Sequence, residues 1–191
     1  MSDTVWYTDD GGKSYVPSTA VLPKMDEAQL VQNANGTIIA NMRHRSSPTT
    51  GRAIATSTDG GTTFSAISYD SKLVASVCQG TIMRSTQNGM VYFANPAIAH
   101  GRTHGLVRRS ASGASPWTRN RHTLMINRDI CIARTGLTGS WDKQAMEVTS
   151  TRGAFGYSCL TDVPQSGKIG LLWEGHGGIV FTTLPLDLSP M

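Results

Sequence analysis

Four residues of this 191-residue chain have side chains and positions suited to chemistry: Glu27, Arg43, Arg102 and Tyr157. Glu27 lies in the apolar, strand-like run "DEAQLVQ", a turn "NANG" follows at 33–36, and Arg43 closes the returning run "GTIIANMR". If the two runs form a hairpin, antiparallel pairing sets Glu27 opposite a residue between Met42 and His44, with Arg43 the central candidate. One reading is an exposed cross-strand ion pair worth well under ~1 kcal/mol. The other is one wall of an active site, since a guanidinium grips a planar carboxylate or phosphate through two parallel N–H bonds. Arg102 stands in the loop "AHGRTHG" just before another strand-like run, and Tyr157 heads the run "GYSCL".

These residues need elements to bring them together. Few windows have a helical period, whereas short alternating or β-branched runs bounded by Gly, Asn, Asp and Ser recur along the chain, so the fold class is all-β. A repeat lies within it. "TDDGGKSY" (8–15) and "STDGGTTF" (57–64) match position for position, and "SASGASPW" (110–117) is a worn third copy. Their equivalent positions, Asp10, Asp59 and Ser112, are 49 and then 53 residues apart. A period of that size with several strands per repeat marks a propeller blade. Each copy follows a strand-like run and is expected to form a hairpin turn between a blade's outer strands. There the aspartate accepts backbone N–H groups, the glycines supply positive φ, and the closing aromatic packs between sheets.

The blades can be laid out. After an initial hairpin fragment comes a unit of "DEAQLVQ", "GTIIANMR", "RAIATS" and "TTFSAI", then one of "VCQGTIMRS", "GMVYFANPA", "GLVRRS" and "PWT", then one of "GYSCLTDV", "KIGLLWE" and "GIVFTTLPL". The expected fold is therefore a partial six-bladed propeller of about three blades plus a hairpin of a fourth. Residues 119–153 fit no blade pattern and are read as an atypical inserted segment. In a propeller, comparable strand ends converge on the central axis, which would bring the tyrosine, the glutamate and the two arginines together.

That constellation resembles the sialidases, or neuraminidases. The resemblance is carried by "DEAQLVQNANGTIIANMR", the box "STDGGTTF", "CQGTIMRS", "GRTHGLVRRS", "GYSCL" followed by "IGLLWE", and the closing "IVFTTLPL", in the family's order over roughly residues 3–117 and 154–188. It implies that residues 1–191 correspond to the C-terminal portion of a sialidase propeller with Asp boxes (BNR repeats). It further implies exo-α-sialidase chemistry, the removal of terminal sialic acid from glycoproteins, gangliosides and oligosaccharides, with no cofactor and no metal. Tyr157 then corresponds to the nucleophile, Glu27 to the base that draws off its proton, and Arg43 and Arg102 to two of three arginines that hold the substrate carboxylate. The tyrosine nucleophile comes with the resemblance and is not deduced from the residues. The family's first arginine and its general-acid aspartate belong to N-terminal blades with no counterpart in this sequence. The alternative expectation is a noncatalytic Asp-box fragment that binds sialylated glycans or protein partners.

Other features exclude or weigh little. Arginine supplies twelve of the 17 basic residues and the net charge is +4, but the arginine cluster from 102 to 134 has few interleaved aromatics, so nucleic acid is not the expected partner. Cys78, Cys131 and Cys159 are odd in number and far apart, which disfavours a disulfide framework and favours buried free thiols. His100 and His104 sit among glycines without a third ligand, and the four tryptophans read as packing residues. No run approaches the roughly 20 apolar residues of a membrane-spanning helix, and the start "MSDTVWYTDD" is not that of a signal peptide, which leaves the compartment open. "NGT" at Asn35 is a glycosylation acceptor pattern on a turn. Self-association through open blade faces is also expected.

Overall fold

The computed structural model describes residues 2–45, 51–111, 113, 122–126, 130–134, 145–147 and 153–188. These hold fifteen strands and no helix. The strands β1 (Ser2–Tyr7) and β2 (Val16–Pro23) form a hairpin. The first full sheet runs in the order β3 (Met25–Gln32), β4 (Ile38–His44), β5 (Arg52–Ser57), β6 (Ser68–Asp70). The second comprises β7 (Thr81–Arg84), β8 (Val91–Pro96) and β9 (Gly105–Ser110), and the third β13 (Ser158–Val163), β14 (Lys168–Gly175) and β15 (Gly178–Pro185). All pairings between strands are antiparallel.

Between 119 and 153 the chain forms a separate hairpin, β10 (His122–Ile126) with β11 (Ile130–Arg134), and then β12 (Ala145–Glu147), which pairs with β9 as the outer strand of the second sheet. The segment expected to lie outside the blade pattern thus completes a four-stranded sheet. "PWT" and most of the worn third repeat lie outside the described residues.

The sheets stack face to face through apolar clusters: β4 and β8 are buried on both faces, whereas β13 alternates between a buried and an open face. Leu22, Met25, Ala40, Met42, Ala53 and Ala55 fill the space between the β1–β2 hairpin and the first sheet, with Val5, Phe64 and Ile67 beside them. Val31, Ile39, Leu73, Ile82, Val91 and Phe93 join the first sheet to the second. Tyr92, Ala94, Val107, Leu160, Ile169, Leu171, Trp173 and Leu184 join the second to the third. Burying each aliphatic side chain contributes roughly 1.5–3 kcal/mol.

The strands β3, β7 and β13 lead their sheets and lie side by side without a backbone ladder. Polar side chains bridge them instead. Gln29 Oε1 accepts the Ile82 N–H at 2.8 Å, and Thr81 Oγ1 accepts the Leu160 N–H at 3.2 Å. The Gln79 amide pairs with both backbone groups of Ser158, at 3.0 and 3.1 Å. Buried N–H groups are thereby satisfied where a ladder is missing.

The two Asp-Gly-Gly turns adopt the expected geometry. Gly11, Gly12, Gly60 and Gly61 have φ between 72° and 95°. Asp10 Oδ1 accepts the N–H groups of Lys13 and Ser14, both at 2.9 Å, and Asp59 Oδ1 accepts that of Thr63 at 3.0 Å. These bonds, led by those from the Ser14 and Thr63 hydroxyls, hold both carboxyls down to a pKa of about 2.

Four expectations need correction. Thr62–Ile67 is not the fourth strand of the first sheet, which starts at Ser68. The backbone there is engaged elsewhere: Thr62 O accepts the Thr19 N–H at 3.0 Å, and the Ser65 N–H donates to Thr56 O at 2.8 Å. Phe64 packs between sheets as expected, but Tyr15, its counterpart in the first repeat, is exposed. Trp6 is likewise exposed, whereas Trp173 is buried and stacked on Phe155. Cys78 is a buried thiol, but Cys159 is exposed, because it lies on the face of the third sheet opposite the shared core.

Candidate active site

The site is assembled from all three sheets. Glu27 and Arg43 come from β3 and β4, Arg102 from the loop between β8 and β9, and Tyr157 from the residue before β13. The register of the β3–β4 pair explains the first two. Met25 pairs with His44 and Ala28 with Met42, so Asp26 and Glu27 together oppose the single residue Arg43. This β-bulge turns both carboxylates toward one guanidinium. Arg43 Nη1 donates to the two oxygens of Glu27 at 2.6 and 2.7 Å, and its Nε lies 3.6 Å from Asp26 Oδ2. Asp26 also takes Arg45, whose Nε and Nη2 lie 3.0 and 2.9 Å from Oδ2.

Tyr157 closes the group from the third sheet. Its hydroxyl donates to Glu27 Oε1, and Arg43 Nη1 donates to the same hydroxyl at 3.3 Å. The Arg102 guanidinium covers the ring, with Cζ 5.2 Å from the centroid. The ring itself is partly open to solvent, with Tyr157 37% exposed, whereas Arg43 is buried. The four residues singled out from the sequence therefore meet, and Arg43 is the cross-strand partner of Glu27.

Electrostatics follow from this geometry. The hydrogen bond to Glu27 raises the Tyr157 pKa, with desolvation and the Glu27 charge acting in the same direction and Arg43 opposing them. Burial pulls the Arg43 pKa down, but Glu27, Tyr157 and Asp26 outweigh it, and the net shift is upward. Behind the site, the fully buried Arg52 is held by Asn41 Oδ1 at 2.7 Å and the Cys78 carbonyl at 3.0 Å. Desolvation lowers its pKa to about 10.

Several supporting residues escaped the reading of the sequence. Asp26 stood next to Glu27 but only the bulge turns it inward. Gln79 acts across sheets, where no local pattern announces it, and Glu174 acts on the neighbouring strand just beyond the β13–β14 ladder. Among the described residues no three metal-ligating side chains converge.

The arrangement offers a phenol whose proton already points at a carboxylate, beside cations that can receive an anion. No family model matches the chain. It is 28% identical over 182 residues to a sialidase of Micromonospora viridifaciens, covering 94% of this chain and 25% of that protein. Its fold is similar to the NanB sialidase of Streptococcus pneumoniae, with TM-score 0.70, 22% identity, and coverage of 98% of this chain and 28% of the other. It is also similar to a leech intramolecular trans-sialidase, with TM-score 0.69, 22% identity, and coverage of 96% and 27%. The chain spans about a quarter of the length of these relatives. The chain therefore resembles the sialidases in sequence along nearly its whole length and shares with them an all-β architecture of stacked antiparallel sheets.

Proposed function

We propose that the chain carries the nucleophile side of a retaining exo-α-sialidase site acting on terminal sialic acid of glycoproteins, gangliosides and oligosaccharides. The observation that carries this reading is the Tyr157 hydroxyl bonded to Glu27 beside Arg43. The substrate carboxylate is held by Arg43 and Arg102 through charge-assisted hydrogen bonds. The Tyr157 oxygen attacks the anomeric carbon while Glu27 takes the phenolic proton, and the bond to the leaving oxygen breaks with its electron pair. Water then attacks the tyrosyl glycoside and returns the phenol. A neutral phenol approaches a carbon that bears a carboxylate with less repulsion than an anionic nucleophile would. With an ordinary pKa near 10, it needs the neighbouring base. The leaving oxygen also needs a proton, which the family's aspartate would supply; lack of such an acid costs on the order of 10²- to 10⁴-fold in rate.

The second reading is a noncatalytic domain that binds sialylated glycans through the same arginines, since Arg102 covers the Tyr157 ring as a cation open to an anion. Release of 4-methylumbelliferone from its α-sialoside, by the wild type and by Tyr157→Phe, separates the two. Activity lost in the variant supports the enzyme. Equal activity in both overturns the role of Tyr157, and folded wild-type protein without activity points to binding.

A further inference from the structure

We propose that Glu174 is a positioning residue: its carboxylate holds the main chain of Tyr157, in a space that Gly156 leaves open, and so keeps the phenol against Glu27. The inference rests on the reading of Tyr157 and Glu27 as the working pair.

Glu174 lies near the end of β14, alongside the segment that enters β13. Gly156 donates its N–H to the Glu174 carbonyl at 2.9 Å, and Glu174 donates its N–H to the Tyr157 carbonyl at 2.9 Å. The Tyr157 N–H is met by a side chain, Glu174 Oε2, at 3.1 Å. Both main-chain polar groups of the tyrosine are therefore bonded to one residue. That contact requires glycine at 156, where a Cβ would lie 2.3 Å from Glu174 Oε2 and 3.0 Å from Glu174 Cβ. One residue upstream, the Phe155 N–H donates to the Arg102 carbonyl at 2.8 Å. The buried Phe155 ring fills the space over Gly105, where a Cβ would fall 2.1 Å from it.

Backbone position matters here because the hydroxyl's bonds to Glu27 and Arg43 form only if the main chain brings the ring to them. The Tyr157 ring is 37% exposed and is covered by the guanidinium of Arg102, itself exposed, rather than by packed core. The main chain held by Glu174 and Phe155 sets where the ring starts, and Glu27 and Arg43 take its hydroxyl. A misplacement of about 1 Å at a reacting group costs on the order of 10²-fold in rate.

The test reads the Tyr157 phenol directly. Protein labelled with [13Cζ]tyrosine is titrated by NMR, with Tyr157 assigned through Tyr157→Phe and the fold of each variant checked by circular dichroism and thermal midpoint. The charged groups at Tyr157 are Glu27, Arg43, Arg102 and Glu174, and the variants separate the charge of Glu174 from its hydrogen bond. Glu174→Gln removes the charge and keeps an acceptor, so the raised titration is retained. Glu174→Ala and Gly156→Ala each shift it down toward the ordinary tyrosine range. Adding Gly156→Ala to Glu174→Ala has little further effect, because the clash with Oε2 is gone. On a sialoside, Glu174→Ala lowers kcat by about 10²-fold with little change in KM. A raised wild-type titration that stays raised in folded Glu174→Ala, or in folded Gly156→Ala, overturns the role of Glu174 alone. A wild-type Tyr157 that titrates as an ordinary tyrosine overturns its pairing with Glu27, and this inference with it.

Discussion

The guanidinium of Arg102 lies over the face of the Tyr157 ring, its Cζ 5.2 Å from the centroid. A cation on that face is attracted by the ring quadrupole while its N–H groups remain in plane and able to take an anion. One residue thus touches the reacting side chain and can bind the substrate.

Arg102→Ala therefore weakens binding more than it slows chemistry. Loss of a charged hydrogen-bond partner removes roughly 1.5–3 kcal/mol, which corresponds to a 10- to 150-fold weaker Kd. Calorimetric titration with free sialic acid measures this whether or not the chain turns over substrate. An unchanged Kd would remove Arg102 from the ligand's contacts.

The bulge makes unequal partners of two adjacent acids. Glu27→Gln loses the base and is expected to reduce sialoside hydrolysis by on the order of 10²- to 10⁴-fold, whereas Asp26→Asn, whose carboxylate faces Arg43 and Arg45, has a much smaller effect. The same substitution reads out in titration. Glu27 stabilises the protonated phenol, so the contact contributes stability below the ordinary tyrosine pKa and is lost as pH rises through the elevated one. In Glu27→Gln that alkaline limb moves to lower pH. Similar rates for the two variants would contradict the assignment of the base.

Asp10 and Asp59 set an acid limit. Their folded pKa values of about 2 lie below the ordinary value of 3.8, so the unfolded chain takes up protons first as pH falls. Their contribution is fully present above about pH 4 and is lost progressively toward pH 2. Denaturation midpoints between pH 2 and 5 should fall less steeply in the Asp10→Asn/Asp59→Asn double variant. Parallel curves would show that the two turns do not govern acid stability.

Thiol access follows the sheet faces. In the native protein maleimide labels Cys159, while the Cys78 thiol, buried and with its pKa raised chiefly by desolvation, reacts only after unfolding. Peptide mapping of the labelled protein checks this, and rapid native labelling of Cys78 would mean that its buried surroundings open in the folded protein.

Much of the site was legible because hairpin registry is local. The turn at 33–36 and the flanking alternation set Glu27 opposite a residue between Met42 and His44, with Arg43 at the centre, and the repeated Asp-Gly-Gly turns reveal the sheet period that brings Arg102 and Tyr157 to the same end. The two-against-one pairing at Asp26 and Glu27 leaves no trace in hydrophobic pattern, since an extra residue is silent until strands pair. Thr62–Ile67 alternates like a strand, yet its backbone bonds to the neighbouring hairpin and to Thr56. Gln79 is matched to a partner 79 residues away across a sheet boundary, a contact that only stacking creates, and Glu174 meets Tyr157 only because the chain leaves the regular β13–β14 ladder at Gly156.

Glu27 and Tyr157 are 130 residues apart in sequence and belong to sheets separated by a third. Their contact exists only while both intervening layers of side chains are in place. The site is thus a gauge of alignment for the whole stack, and a slip at either apolar layer parts acid from phenol without touching a residue of the site. The reciprocal holds by mass action. A ligand bridging Arg43, Arg102 and Tyr157 acts as a rivet through three sheets, and at a concentration of 100 times its Kd it stabilises the stack by about 2.7 kcal/mol.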